Sequence, residues 1–438
     1  DIYVDASYTG ETPDGTREQP FSTLAQALEV VEEGGRVALA AGEYTDGVAF
    51  TQSTSIVGRC SSMVTITGLK PSLSGFNAVI QIRAGSESTL RDLTVSGEGM
   101  GINVVQKSSV TLERVIISNT VGGGLVVNGS ETVVTGSDVH ITGAHPSEDT
   151  TYAIAVMVEG GASVTLNRAA ITKTTGYGLR LMDPGTSFVG HELAVTQTLP
   201  MTSGTVGRGV RLSDGASMEL TQSVFAKSQG LGMSVYYENS TVTIRDSVIA
   251  NQPEGDGRFG MEIGEGASVT LERVALRNNG TLGLMVSGAG TSVTLDSCAV
   301  SDTIPTASGT DGAGIYLKEG ASMLLRDSSV AGNQDFGLYS TGAGTTLELI
   351  DSVVEQNTAS LKSSGAWYAR GVASVEGALS IKRSALLSNE GFGVYAKKAG
   401  TTVEVLDSVI SHTNMMPDGT FGHGIHVWGG VDMNLERV

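Results

Sequence analysis

A four-residue clause, polar then apolar then variable then apolar, returns along most of the chain. It is seen at Ser109–Leu112, Ser163–Leu166, Ser217–Leu220, Ser268–Leu271 and Ser322–Leu325, with partner copies starting at Thr132, Ser187, Thr241, Ser292, Thr346, Ala378, Thr402 and Asp432. Successive starts are separated by 23, 31, 24, 30, 24, 27, 24, 30, 24, 32, 24 and 30 residues. The unit is a short coil followed by a longer one, and the pair repeats every 51 to 56 residues. A fixed period of this size means stacked supersecondary units, which bury a core only against their neighbours.

Within each unit a second apolar run follows a glycine, as at Gly124–Val127, Gly178–Leu181, Gly209–Leu212, Gly283–Val286, Gly314–Leu317 and Gly424–Val427. Both runs alternate every second residue, the period of a strand. A third run, exemplified by Val248–Asn251, closes the unit in a turn. Three short strands and three turns in about two dozen residues predict one coil of a parallel β-helix. A leucine-rich solenoid fits Leu271–Asn279 once, but the other coils leave no room for its helix.

Stacking like on like predicts two ladders. One is polar and able to satisfy turn amides: Thr120, Thr174, Thr198, Ser228, Asn279, Thr303, Asn333, Asn357 and Thr413. The other is charged, with neighbours often of opposite sign, Asp92, Arg114, Arg168, Glu192, Asp246, Arg273, Asp351, Arg383 and Asp407, and fixes register more than it stabilises. Before the repeats, Thr23 and Gln26 form a capping-box pattern, and Leu24, Leu28 and Val31 give a helical apolar face ending at Gly34 and Gly35. Residues 1–35 are thus expected to cap the array as strand plus amphipathic helix, and residues 36–438 to form it, in roughly 14–16 coils. The last coil has no visible cap, so further coils or another chain are expected to stack on it.

The opening resembles secreted bacterial proteins of the pectin-lyase-like, right-handed parallel β-helix superfamily. Ile2–Asp5, Gln19–Leu28, Arg36–Leu39, Ala41–Tyr44 and Ser55–Gly58 carry the resemblance. It implies an all-β, single-stranded right-handed solenoid, an extracellular or bacterial cell-surface location, and a relation to carbohydrate. Composition sets limits on partners. With 27 Lys+Arg against 46 Asp+Glu the formal charge is −19, which excludes the basic footprint of a nucleic-acid binder. No apolar run reaches the ~20 residues of a membrane span. Only Cys60 and Cys298 are present, too few for a disulfide framework, and they read as small fillers on different coils.

The long coils owe their length to insertions just before the glycine-led strand: His145–Tyr152, Pro200–Gly207, Pro253–Gly257, Pro305–Asp311, Ala359–Ala369 and Met415–Gly422. They should rise as ridges on one side, either as a binding face or as tolerated loops. Beside them, the outward positions of the glycine-led strands read Asn103, Val126, Ala155, Arg180, Arg211, Ser234, Glu262, Met285, Tyr316, Tyr339, Ala373, Tyr395 and His426, with Trp428 near. Arg180 and Arg211 suit carboxylates or sulfates, and Tyr316, Tyr339, Tyr395, His426 and Trp428 suit sugar rings. The strip is a candidate glycan groove, or else an ordinary solvent face.

Catalysis finds less support. Two-carboxylate hydrolysis needs paired acids, and the strip offers Glu262 alone. Gly422–Gly424 is similar to the Gly-His-Gly signature of polygalacturonases, but the preceding coil lacks their aspartates, and His423 falls in a column of rings with Tyr177, Phe259, Phe336 and Phe392. No metal or cofactor motif appears; calcium at Asp311 or Asp418 is open but not required. The sequence therefore predicts a non-catalytic binder of glycans or surfaces, an adhesin or a spacer, with a polysaccharide lyase or glycoside hydrolase as the alternative.

Overall fold

A computed structural model describes residues 1–68, 77–204, 207–252, 258–306, 312–362, 364 and 366–438. Its contacts divide it into two compact units, Asp1–Arg211 with Ala216–Met218, and Leu212–Gly215 with Glu219–Val438. Each is built from the predicted three-strand coil.

In the first unit the glycine-led strands Ala78–Ile82, Met100–Val105, Gly123–Asn128, Ala153–Glu159 and Gly176–Leu181 pair in parallel, so that Ile80, Ile102, Leu125, Val156 and Leu179 form one inward column. The second unit repeats the plan. Leu271, Leu295, Leu325, Leu349, Ile381 and Val405 are vertical neighbours, each fully buried. Burying such a side chain contributes about 1.5–3 kcal/mol, and the parallel ladder supplies its backbone bonds from the coils on either side.

The charged ladder lies in the tight turn between the strand of the four-residue clause and the third strand, as Asp246 does between Thr241–Arg245 and Val248–Ala250. Asp92, Arg114, Asp138, Arg168, Asp246, Arg273, Asp351, Arg383, Asp407 and Arg437 all have φ between 47° and 57°. That left-handed conformation is unusual for side-chain-bearing residues. Here each aspartate accepts a two-pronged guanidinium, as Asp92 does from Arg114 at 2.6 and 2.9 Å and Asp351 from Arg383 at 2.8 and 2.7 Å. These hydrogen bonds hold Asp92, Asp138, Asp246, Asp351 and Asp407 below the usual carboxylate range.

The polar ladder is present but unequal. Asn357 accepts from the backbone N–H and the side-chain Nδ2 of Asn333, both at 3.1 Å, and donates to Asn389 Oδ1 at 2.8 Å and Val330 O at 3.3 Å. Gln252 does similar work for Ser228 N–H. Thr120, Thr174, Ser228 and Thr303 are buried in this ladder, yet their hydroxyls find no partner. A second ladder has no signature in the sequence. Ser247, Ser328, Ser352, Ser384 and Ser408 each accept the N–H of the preceding coil's residue. Cys298 sits in this column, its Sγ donating to Leu271 O at 3.3 Å, so it takes a serine's seat and is no mere filler. Burial pushes its thiol pKa up. Cys60 is partly exposed, and both thiols are free.

The helix is Leu24–Val30, with both halves of the Thr23–Gln26 capping box made. It ends at Val30, short of the glycines, and buries Leu24 and Ala27 where Leu28 was expected. Among the described residues no helix is long and apolar enough to cross a membrane.

Replacing Asn357 with Leu strands the buried Asn333 N–H and is expected to cost at least roughly 1–3 kcal/mol. Thr303→Val, which removes an unpaired hydroxyl, should be near neutral; denaturant melts of the two variants check the contrast. For the charged turns the sign follows from lowered aspartate pKa values: the stabilisation is complete above about pH 4 and is lost as pH falls through the lower folded-state values. Arg383→Gln should therefore melt below wild type at pH 6, the gap closing as Asp351 protonates.

Candidate functional site

The outward column of the second unit is in the predicted register: Ser234, Glu262, Met285, Tyr316, Tyr339, Ala373, Tyr395 and His426 face one another strand by strand. In the first unit the register differs. Met157, not Ala155, stands between Val126 and Arg180, and Ala155 is turned fully inside. Pairing runs unbroken from Gly123 with Ile154 to Asn128 with Glu159, which sets Ala155 opposite Gly124, in the place that a glycine holds in the neighbouring strands. Asn103, Val126, Ser234 and Ala373 are buried, so this strip is not a uniform solvent face.

Tyr316 and Tyr339 stack at 5.2 Å and 10°, and Phe336 lies on Tyr339 at 4.9 Å. Tyr395 and His426 are stacked 5.7 Å apart and 2° off parallel. Between the groups comes Arg370, which no sequence pattern marks. Its column partners are Phe336 and Phe392. Its guanidinium lies 4.3 Å from the Tyr395 ring centre, 5.0 Å from Phe336, 5.3 Å from Tyr368 and 5.8 Å from Phe392. The small Ala373 between Tyr339 and Tyr395 leaves the room it needs. Among the described residues no carboxylate pairs with Arg370, and its Nε is buried without an acceptor. Burial pulls its pKa down and the surrounding Tyr and Asp groups oppose this; the guanidinium stays charged.

Two insertions wall this box. One forms a hairpin, Ser360–Leu361 against Trp367–Tyr368, whose Lys362 reaches back to the buried Asp335. The other, after Asn414, brings Met416, Asp418, Thr420 and Phe421. Together with Arg370, Phe392, Tyr395, His426 and Trp428 they enclose about 450 Å³. Trp428 is half exposed, and its Nε1 donates to the Tyr395 hydroxyl at 3.0 Å; Lys397 Nζ sits 4.1 Å over its ring. Both tryptophans of the chain line this one pocket. Its carboxylate, Asp418, accepts from Thr420 N–H at 2.9 Å and Oγ1 at 2.6 Å, which lowers its pKa.

Tyr395, His426 and Trp428 are thus brought together, with Tyr316 and Tyr339 along the same column. Arg180 and Arg211 lie in the first unit. His423 faces Phe392, edge on at 5.7 Å, as a member of the ring column. Asp311 and Pro253–Gly257 lie outside the described residues. Among the described residues no group of three His, Cys, Asp or Glu is placed to hold a metal.

A second concavity, about 600 Å³, runs along the neighbouring sheet face of this unit between Ser292 and Asn434. Glu348 and Glu404 flank Ser380 in register there, and Lys382 Nζ bridges them at 3.0 and 3.6 Å.

The family described as the right-handed β-helix region matches residues 43–169 and 202–359, well over half of the chain. No curated protein matches. Among solved structures, the chain is similar to one in the Vag8–C1 inhibitor complex, with 10% identity, 99% of this chain and 100% of that one covered, and a TM-score of 0.52. The Geobacillus virus E2 ORF18 structure shares 12% identity over 74% of this chain, with a TM-score of 0.41, and the chain spans 60% of its length. The mannuronan C-5 epimerase AlgE4 A-module of Azotobacter vinelandii shares 12% over 98% of this chain and all of that one, at a TM-score of 0.33. With its parallel coils, its stacked inward columns and the family match over residues 43–169 and 202–359, the chain belongs to the right-handed β-helix family.

Proposed function

We propose that this is a secreted or cell-surface β-helix that binds a glycan in the aromatic pocket of its second unit and does not turn it over. The observation that carries the reading is the set of flat faces around Arg370: Tyr395, His426 and the half-exposed Trp428 offer rings to the C–H faces of sugars, and the guanidinium is already held in place by Phe336, Tyr368 and Phe392. Such a pocket is preorganised, so little ordering entropy is lost on binding.

The non-catalytic half of the proposal draws on the acids. The pocket's carboxylate is Asp418, committed to Thr420. Hydrolysis by two carboxylates needs an acid and a base or nucleophile ~5–10 Å apart across the bound bond. A chain of similar fold occurs in the complex of Vag8 with C1 inhibitor, and an adhesive or partner-binding role for this chain is compatible with that pattern.

A glycan array run beside reducing-sugar and unsaturated-product assays tests both halves: binding without product is expected, and product release overturns the non-catalytic reading. Because both tryptophans line the pocket, intrinsic fluorescence should shift saturably with the bound glycan. Trp428→Ala and Tyr395→Ala should each weaken binding at least about tenfold, or 1.4 kcal/mol. Arg370→Ala should both weaken binding and lower the thermal midpoint, since it empties the space between four rings, whereas Trp428→Ala should leave the midpoint unchanged.

A further inference from the structure

The first unit carries a pair of arginines whose surroundings differ from those of its other guanidinium groups. Gly178 approaches the Gly209 carbonyl to 2.6 Å from where its Cβ would be, much as Gly101 approaches the Gly124 carbonyl, at 2.5 Å, where Ile102 pairs with Leu125. The strands Gly176–Leu181 and Arg208–Leu212 are neighbours in the sheet, so Arg180 and Arg211 are side by side on its outer face, ~4.8 Å apart along the stack. Two like charges at that spacing repel.

Three arginines elsewhere in the unit meet carboxylates, Arg91 and Arg114 at Asp92 and Arg168 at Asp138. Among the described residues, neither Arg180 nor Arg211 has a carboxylate in ion-pair range. Each also has its Nε buried with no acceptor. Glu159 feels the Arg180 charge, but its carboxylate accepts from the Asn128 amide instead. A buried donor on a charged group is costly to leave unpaired, and here two adjacent side chains leave one each.

The flank is built. Ile154, Tyr177 and Met201 form a small apolar cluster with Met157 packed on it, and the Arg180 guanidinium lies 5.7 Å from the Tyr177 ring centre. Tyr152 meets Tyr177 edge on at 5.4 Å. The two insertions of this unit thus supply a low-dielectric wall beside the paired cations, where an ionic hydrogen bond gains strength.

We infer that Arg180 and Arg211 together form a binding site for a tetrahedral oxyanion, the sulfate or phosphate monoester group of a ligand. A carboxylate has two oxygens and one charge, enough for one guanidinium; a sulfate or phosphate ester has three free oxygens and can engage both. The site is independent of the glycan reading, since the aromatic pocket belongs to the second unit.

Isothermal titration of the whole chain with inorganic sulfate, inorganic phosphate and acetate at constant ionic strength tests it, with glucosamine 6-sulfate and glucosamine 6-phosphate as arms that separate the two esters. One saturable site for sulfate or phosphate is expected, with acetate at least about tenfold weaker. Arg180→Gln and Arg211→Gln should each reduce that affinity about tenfold or more. Arg180→Lys keeps the charge and the packing of the stem but not the fork, and should also weaken binding, which guards against a variant that misfolds. No saturable binding to the wild-type chain, equal binding of acetate, or affinity unchanged in the doubly substituted Gln variant would overturn the assignment.

Discussion

The parallel pairing of each strand with its own equivalent one coil away is the constraint on which everything else in this molecule depends. It makes sequence period and spatial column the same thing, so one residue type placed once per coil becomes a stack. Inward stacks of Leu, Ile and Val supply the hydrophobic term, and the edge groups of one coil become the partners of the next. Register is strict under these conditions, because a slip by one residue would turn every inward side chain outward. The side-chain ladders serve the same end. Asn333, Asn357 and Asn389 tie turn amides that the strands leave over, and the serine column through Cys298 does so at a second corner.

Much of this was legible in the sequence because it is periodic. The clause around Ser268–Leu271, the glycine-led run and the charged turn all recur at coil spacing, and the structure places them in register. What was not legible is what breaks the period. Arg370 stands in the column of Phe336 and Phe392, but the hairpin at Ser360–Tyr368 delays it, so in sequence it looks like the tail of a loop. Ala155 misleads for another reason: it takes the place of the glycine that marks this strand in other coils, so the strand starts without its signal and Met157 is the outward residue. The serine ladder was hidden by its own ordinariness, for a serine after a charged turn residue carries no signal until its Oγ is seen beneath the next amide. The unequal worth of the polar ladder is likewise geometric: in this column Asn333 and Asn357 bond the neighbouring coils, whereas the hydroxyls of Thr120, Thr174 and Thr303 bond nothing.

The aromatic pocket shows how such a frame acquires a site. Its floor is periodic, the successive outward positions of Tyr339, Ala373, Tyr395 and His426, and its walls are aperiodic, the two insertions. The floor provides flat rings at strand spacing, suited to an extended repeating ligand. The walls provide depth. Arg370 links the two, since it springs from the floor and is clamped by Tyr368 of the wall. Its charge is compensated by ring faces in place of an acid, which leaves the guanidinium edge without a competing carboxylate among the described residues.

The hairpin and the loop after Asn414 enter and leave the coil at points where the backbone ladder is already complete. Exchanging their tips would redraw the cavity without disturbing a single rung beneath it. Recognition in this architecture is therefore a removable fitting on a standard rail, and related chains can diverge in what they hold while remaining alike in how they stand.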